Sequence, residues 1–301
     1  MNRKTQTVNP RGGCPLPHIT ANGIDTHYDI AGHGRPVLFI HGGFGGAEST
    51  LLPQPSVITG VLPEQAFITI SYDRRNSGHS EYTANRIRLE DLAADAYGLL
   101  QALAIPEAVV VGDSLGGMIA MRMALDFPSA ITALVLMETG AMIFERTNKV
   151  RAIDAALRIV GERRIFRLNK KSLLNPTWSK PVGPEMTAEQ AAARAAHDAE
   201  FRARLRALPE DELFHYTRGL VRTYMAFSGR DIANEVHRIE PPVHIIHGTA
   251  DTIVPWNKGR DLHERIAGSE LRTLPGLGHG LLLYEEGREE LRSVLGPYAI
   301  D

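Results

Sequence analysis

Cysteine is almost absent from this chain: Cys14 is the single one in 301 residues. One thiol excludes an internal disulfide, and its place in a Pro- and Gly-rich leader argues against a thiolate nucleophile. An excess of charge of one sign is missing too, with 33 Lys and Arg against 35 Asp and Glu and a formal net charge of −2. That balance leaves no electrostatic footprint for nucleic acid or an acidic lipid surface. The arginines between Arg194 and Arg206 read as a solvated helix face. No stretch of eighteen apolar residues occurs, so no membrane-spanning helix is expected. Residues 1–18 lack the apolar core of a signal peptide and read as a flexible leader, and a cytoplasmic, reducing setting is expected. G-x-G-x-x-G, the Walker lysine and His-Glu-x-x-His are all missing, which removes the usual signatures of dinucleotide, nucleotide and zinc-protease sites.

What is present is a large apolar fraction, 43%, in short runs separated by loops and helix-forming segments. Asn22-Gly23 is a hairpin signal, followed by a half-alternating strand over Ile24 to Ile30. Further strands are expected at Val37 to Ile40, Ala66 to Ile70, Ala108 to Val111 and Ile131 to Met137, with helices over about 89–103 and 115–127. This alternation predicts an α/β protein with a parallel sheet, whose ligands gather beyond the carboxyl ends of the strands.

The alternation stops after Met137 and resumes only at Val243 to Ile246, followed by Leu271 to Leu274 and a last helix over Glu285 to Leu295. The gap of about a hundred residues far exceeds a βαβ crossover of a dozen or so. Its segments Ala152 to Ile159, Ala188 to Leu208 and Asp211 to Phe227 have helical composition, broken by a loop over Asn175 to Pro184. An insertion there lies at the sheet's carboxyl edge, so a helical cap over the site is expected. The division is 1–18 leader, 19–140 first part of the core, 141–230 cap and 231–301 second part of the core.

The centre of the chemistry is Gly112-Asp113-Ser114-Leu115-Gly116, between a strand and a helix. Glycines on both sides permit a sharp turn that holds the Ser114 hydroxyl out at the strand's end. A hydroxyl is a weak nucleophile without a base, and of twelve histidines His279, in Gly278-His279-Gly280 just after the last strand, is the best placed. Asp251, in the loop after Val243 to Gly248, offers the carboxylate that orients it, with Glu138 after Met137 as a competing acid. His247 closes a strand and is read as structural. His244 and His247 point to opposite faces and do not make a metal pair. Asp113 is expected to point away from the nucleophile and is given no role.

The order nucleophile, acid, histidine, with G-x-S-x-G, resembles the α/β-hydrolases over nearly the whole chain from about residue 20. The resemblance implies a mostly parallel eight-stranded sheet flanked by helices, a Ser114-His279-Asp251 catalytic triad and no cofactor. It also makes His41-Gly42-Gly43-Phe44 an oxyanion loop, whose Gly43 or Phe44 N–H would act with that of Leu115. Asp73-Arg74-Arg75-Asn76-Ser77-Gly78-His79-Ser80 is similar to the family's D-x-R-G-x-G-x-S turn and departs at Asn76, a residue that tolerates positive φ. This motif and His79 within it are read as structural.

The implied activity is a serine esterase or lactonase acting through an acyl-enzyme on Ser114, with a small, mostly apolar molecule as substrate. Carbon–carbon bond hydrolases of diketones use the same triad, and some members of the fold serve as small-molecule receptors. Trp178, Tyr216, Tyr224 and Phe227 are cap aromatics read as core before pocket. The pattern carries no signature of an oligomeric state.

Overall fold

Asn22 and Gly23, with φ of 48° and 74°, form the tight turn of a hairpin between β1 (His18–Ala21) and β2 (Ile24–Gly32). Positive φ at both central residues matches the twist of the flanking strands. In the computed structural model, which describes residues 17–43, 58, 60–83, 85–145, 147–173 and 186–299, this hairpin is one edge of an eight-stranded sheet. The leader up to residue 16, Cys14 included, lies outside the described residues.

The sheet continues with β3 (Arg35–Ile40) and β4 (Phe67–Tyr72), then α1 (Leu89–Ala102), β5 (Ala108–Asp113), α2 (Leu115–Asp126) and β6 (Ile131–Met137). The strand order is β1-β2-β4-β3-β5-β6, extended by β7 (Val243–Gly248) and β8 (Glu270–Leu274). The two pairings that involve β2 are antiparallel, and all pairings from β4 onward are parallel. The strand expected at Ala66 to Ile70 runs instead from Phe67 to Tyr72, since Ile70 pairs with both Ile30 and Leu38 and the ladder extends beyond it.

Continuous apolar runs at β3, β5 and β6 follow from burial on both faces. Leu38, Ile40 and Val110 face α1 and α2, while Val37, Phe39, Val109 and Val111 face α8 (Glu285–Leu295). The period of two along each strand thus divides the core into two layers.

Between β6 and β7 come α3 (Asn148–Val160), α4 (Glu162–Leu173), α5 (Ala188–Ala207) and α6 (Glu210–Phe227). Helix α4 is not among the segments expected from composition; its charged run, Glu162-Arg163-Arg164, masks Phe166, its one deeply buried side chain among the described residues. Phe166, Phe201, Leu205, Leu213 and Phe214 form a small separate core among α4, α5 and α6. Thr187 caps α5 by accepting from the Gln190 N–H at 3.1 Å while Gln190 Oε1 accepts the Thr187 N–H at 3.0 Å, a reciprocal capping box. The loop expected over Asn175 to Pro184, Trp178 with it, lies outside the described residues. After β7, the segment α7 (Asn257–Arg265) returns the chain to β8.

Candidate active site

Ser114 joins β5 to α2 with φ 51° and ψ −116°. Positive φ on a residue with a side chain costs of order 1–3 kcal/mol and persists only where its surroundings enforce it. Here the Ser114 N–H donates to the Met137 carbonyl at 2.9 Å, and the Thr139 hydroxyl donates to the Ser114 carbonyl at 2.7 Å. The turn also needs its glycines: a Cβ on Gly116 would lie 1.9 Å from the Ile40 carbonyl oxygen, and one on Gly112 2.6 Å from that of Gly116.

The loops after β7 and β8 bring two further side chains to this turn. His279 Nε2 lies 3.0 Å from Ser114 Oγ, and His279 Nδ1 lies 2.7 Å from Asp251 Oδ2. The other Asp251 oxygen accepts the N–H groups of Ile253 and Val254 at 2.8 and 2.9 Å. Burial alone would raise the Asp251 carboxyl, but hydrogen bonds from His247 and His279 outweigh it and hold the group down at about 2. His247 is wholly buried, with Nε2 2.8 Å from the Val254 carbonyl and 3.6 Å from Asp251, so it braces the acid's loop. His244 lies apart, with Nε2 2.9 Å from the Tyr298 hydroxyl.

Glu138, the competing acid, stands 3.9 Å from His279 Nδ1. Its Oε2 accepts the N–H groups of Gly280 and Leu281 at 2.7 and 3.0 Å, which pins the loop that carries His279. From the insertion, Arg194 Nη1 donates to the His279 carbonyl on the same loop. Burial, then the charge of Asp251, pushes Glu138 up to about 7. Asp113, given no role on the sequence, is among the residues that line the cavity and hydrogen-bonds Glu138; burial and that neighbour hold its carboxyl well above the usual range. Among the described residues, Glu138, Asp251 and His279 are the one group of potential metal ligands in close proximity. Their atoms are already engaged with each other and with backbone N–H groups, so they form a hydrogen-bonded relay instead of a cation cage.

Gly43 lies in the same cavity wall as Ser114 and Leu115, and Leu115 opens α2, where the first N–H groups have no partner within the helix. Phe44, the other sequence candidate for the oxyanion loop, lies outside the described residues. The 73–80 motif folds as a brace: Asp73 Oδ2 accepts the His79 N–H at 2.7 Å, the Ser80 hydroxyl donates to the Asp73 carbonyl at 2.6 Å, and Asn76 adopts φ 59°. Arg75 binds Asp95 through two 2.5 Å hydrogen bonds. Arg74, part of the motif read as structural, is buried beside the Gly42–Gly43 loop that follows β3 and donates to the Gly42 carbonyl.

Ser114 and His279 line a cavity of about 630 Å³. Its walls are chiefly apolar, with Phe144, Phe201, Leu220, Tyr224 and Ile253 among the lining and Arg194, His197 and Asp198 as a polar cluster contributed by α5. Tyr224 therefore lines the pocket, whereas Phe227 is core and Tyr216 packs on the small core among α4, α5 and α6. No helix among the described residues is long and apolar enough to cross a membrane.

Comparison with known proteins agrees with this architecture. The sequence model of the alpha/beta hydrolase fold matches residues 35–286. A protein of Escherichia coli K12 that carries the provisional name carbamate hydrolase RutD is 28% identical over 246 residues, covering 81% of this chain and 84% of that one. A hydrolase from Pseudomonas aeruginosa PA01 superposes with a TM-score of 0.69 at 26% identity, over 93% of this chain and 97% of its own. The enol-lactonase from Burkholderia xenovorans LB400 superposes with a TM-score of 0.68 at 23% identity, over 93% and 98% of the two chains, and speaks for the fold alone. With its eight-stranded sheet, its serine at the β5–α2 turn and a family match over most of its length, this chain belongs to the α/β-hydrolase family.

Proposed function

We propose that this protein is a serine hydrolase that cleaves carboxylic esters or lactones of small, mostly apolar molecules through an acyl-enzyme on Ser114. The observation that carries the reading is the unbroken relay from Asp251 through His279 to Ser114, at 2.7 and 3.0 Å, opening on an apolar cavity. Ser114 Oγ attacks the carbonyl carbon as His279 Nε2 takes its proton. The N–H groups of Gly43 and Leu115 receive the oxygen that becomes negative. The bond to the leaving oxygen then breaks, and His279 returns the proton to that oxygen; in a lactone the leaving group stays tethered to the acyl chain. Water repeats the sequence, giving its proton to His279 and releasing the acid and free Ser114. Asp251, whose carboxyl the hydrogen bonds from His247 and His279 hold down at about 2 and so ionised near neutral pH, keeps the imidazole oriented and offsets its charge when protonated.

Residues 141–230 act as the cap that sets the acyl and alcohol groups accepted, which fits the pocket residues supplied by α3, α5 and α6. A cytoplasmic working place fits the single cysteine. The similarity to the protein named as a carbamate hydrolase adds carbamates to the substrates worth assaying, since their carbonyl is open to the same attack.

Intact-mass spectrometry after treatment with a fluorophosphonate tests the reading. One adduct on the parent and none on Ser114→Ala is expected, together with turnover of p-nitrophenyl esters by the parent alone. A folded parent that takes no adduct and turns over no ester overturns it and favours a binding role on this fold.

A further inference from the structure

The peptide linking Gly42 to Gly43 is held from behind by two donors. The Gly42 carbonyl oxygen accepts from Arg74 Nη2 at 2.7 Å and from His41 Nδ1 at 2.8 Å. Arg74 Nε donates to His41 Nε2 at 3.3 Å, which requires a lone pair there and places the ring proton on Nδ1, the nitrogen that meets Gly42. Arg74 is 1% exposed, and its hydrogen bonds among the described residues go to a carbonyl and an imidazole, with Nη1 unpartnered. A buried guanidinium with no carboxylate on its fork among the described residues is costly to hold.

The geometry of the peptide indicates what the guanidinium does there. A trans peptide points its C=O and N–H in opposite directions, and no cis bond occurs among the described residues. With the Gly42 oxygen turned toward Arg74, the Gly43 N–H is turned away from Arg74, and Gly43 lines the cavity together with Ser114 and Leu115. A cation on the carbonyl also draws electron density from the amide and strengthens its N–H as a donor.

We propose that Arg74 is the positioning residue of the oxyanion site: its guanidinium fixes and polarises the Gly42–Gly43 peptide so that the Gly43 N–H meets the oxygen made negative by Ser114 attack. This rests on the serine-hydrolase reading. Burial draws the guanidinium down to about 10, which still leaves it charged at neutral pH. Burial and the adjacent Arg74 keep His41 neutral by lowering it well below the ordinary imidazole range.

The test uses Arg74→Met and Arg74→Lys in the full-length protein, with p-nitrophenyl butyrate turnover and the rate of phosphonylation by a fluorophosphonate. For Arg74→Met, kcat is expected to fall about a hundredfold, in the range of losing one oxyanion donor, with KM within about threefold of the parent. Phosphonylation should slow in parallel, because the phosphoryl oxygen occupies the same donors. The acid limb of the pH–rate profile should stay in place, since Arg74 makes no contact with His279. Arg74→Lys keeps the charge but not the fork, and about a tenfold loss is expected. A folded Arg74→Met with parental kcat, or one that changes only KM or moves the acid limb, overturns the inference. Should Arg74→Met fail to fold by circular dichroism, an Arg74→Lys variant with parental kcat overturns it equally. A parent with neither turnover nor adduct overturns the serine-hydrolase reading and this inference together, whereas an active parent with unaffected variants overturns the inference alone.

Discussion

Glu138 stops 3.9 Å short of the His279 nitrogen that Asp251 reaches at 2.7 Å. Both carboxylates belong to the same buried cluster, but they are engaged differently. Asp251 spends one oxygen on the imidazole, whereas Glu138 spends Oε2 on the Gly280 and Leu281 N–H groups. The carboxylate that meets the imidazole and the one that anchors its loop are therefore separable by mutation. Asp251→Asn should lower kcat by about 10⁴, the scale seen when the orienting acid of such a triad is neutralised. Glu138→Gln keeps an oxygen for the two N–H groups and should cost less than about tenfold by the usual scale of one retained hydrogen bond. Steady-state kinetics of both folded variants on one p-nitrophenyl ester decides the matter, and a larger loss for Glu138→Gln would transfer the orienting role to Glu138.

Glu138 also predicts a pH dependence of stability. Its carboxyl rises from an ordinary 4.5 to about 7 in the folded protein, first through burial and then through the charge of Asp251. A raised folded-state value means that the folded protein binds the proton more tightly than the unfolded chain. The stabilisation is fully present below about pH 4.5 and is lost as pH climbs through about 7. Glu138→Gln removes this titration, so its Tm relative to the parent should be higher at pH 8 than at pH 5, by about 5 °C or so for a domain of this size. Differential scanning fluorimetry at the two pH values reads the difference; equal offsets would mean that Glu138 does not titrate between them.

The parts of the site readable in the sequence are those with a local cause. Gly112, Ser114 and Gly116 are within five positions of one another, and the strand before and helix after them have the right periods, so the turn is recognisable without tertiary information. Asp251 follows the mostly apolar strand β7 and His279 follows β8, and a residue in the loop past a parallel strand's carboxyl end is at the functional edge of the sheet. Arg74 and Asp113 have no such local mark. Arg74 acquires its place only when β4 is laid beside β3, which brings it to a carbonyl 32 residues earlier in the chain. Asp113 acquires its own when Glu138 is brought alongside by the pairing of β5 with β6. Helix α4 was hidden for a related reason, because its apolar contact, Phe166, is with Phe214 on another helix at a ring separation of 5.4 Å.

The close approach at Gly116 gives a stability prediction independent of catalysis. A methyl group there would sit 1.9 Å from the Ile40 carbonyl oxygen, and neither β3 nor α2 can retreat without disturbing buried neighbours on both sides. Gly116→Ala should therefore cost more than about 3 kcal/mol, beyond ordinary overpacking. A urea melt that leaves the midpoint within error of the parent would show that α2 shifts freely. Gly43 makes a useful contrast, because among the described residues its added Cβ would meet the Leu115 side chain, at 3.1 Å, and no backbone, so Gly43→Ala should leave stability nearly unchanged.

The last prediction concerns what the cavity admits. Val221 and Leu220 on α6, Phe201 on α5 and Phe144 beyond β6 line the same cavity of about 630 Å³ as Ser114 and His279. Replacing Val221 by Trp fills part of that space without touching the relay from Asp251 to His279. Small acyl groups that sit close to Ser114 should be hydrolysed nearly as before, while long ones lose the apolar surface they would bury, at about 0.8 kcal/mol for each methylene excluded. The ratio of kcat/KM for p-nitrophenyl octanoate over acetate should then fall by at least about tenfold, with acetate changed less than about threefold. If both esters slow equally, the bulk at 221 disturbs the turn itself and the acyl chain does not run between α5 and α6. If neither changes, the chain leaves the site by another face of the cavity, past Ile253 and Leu283.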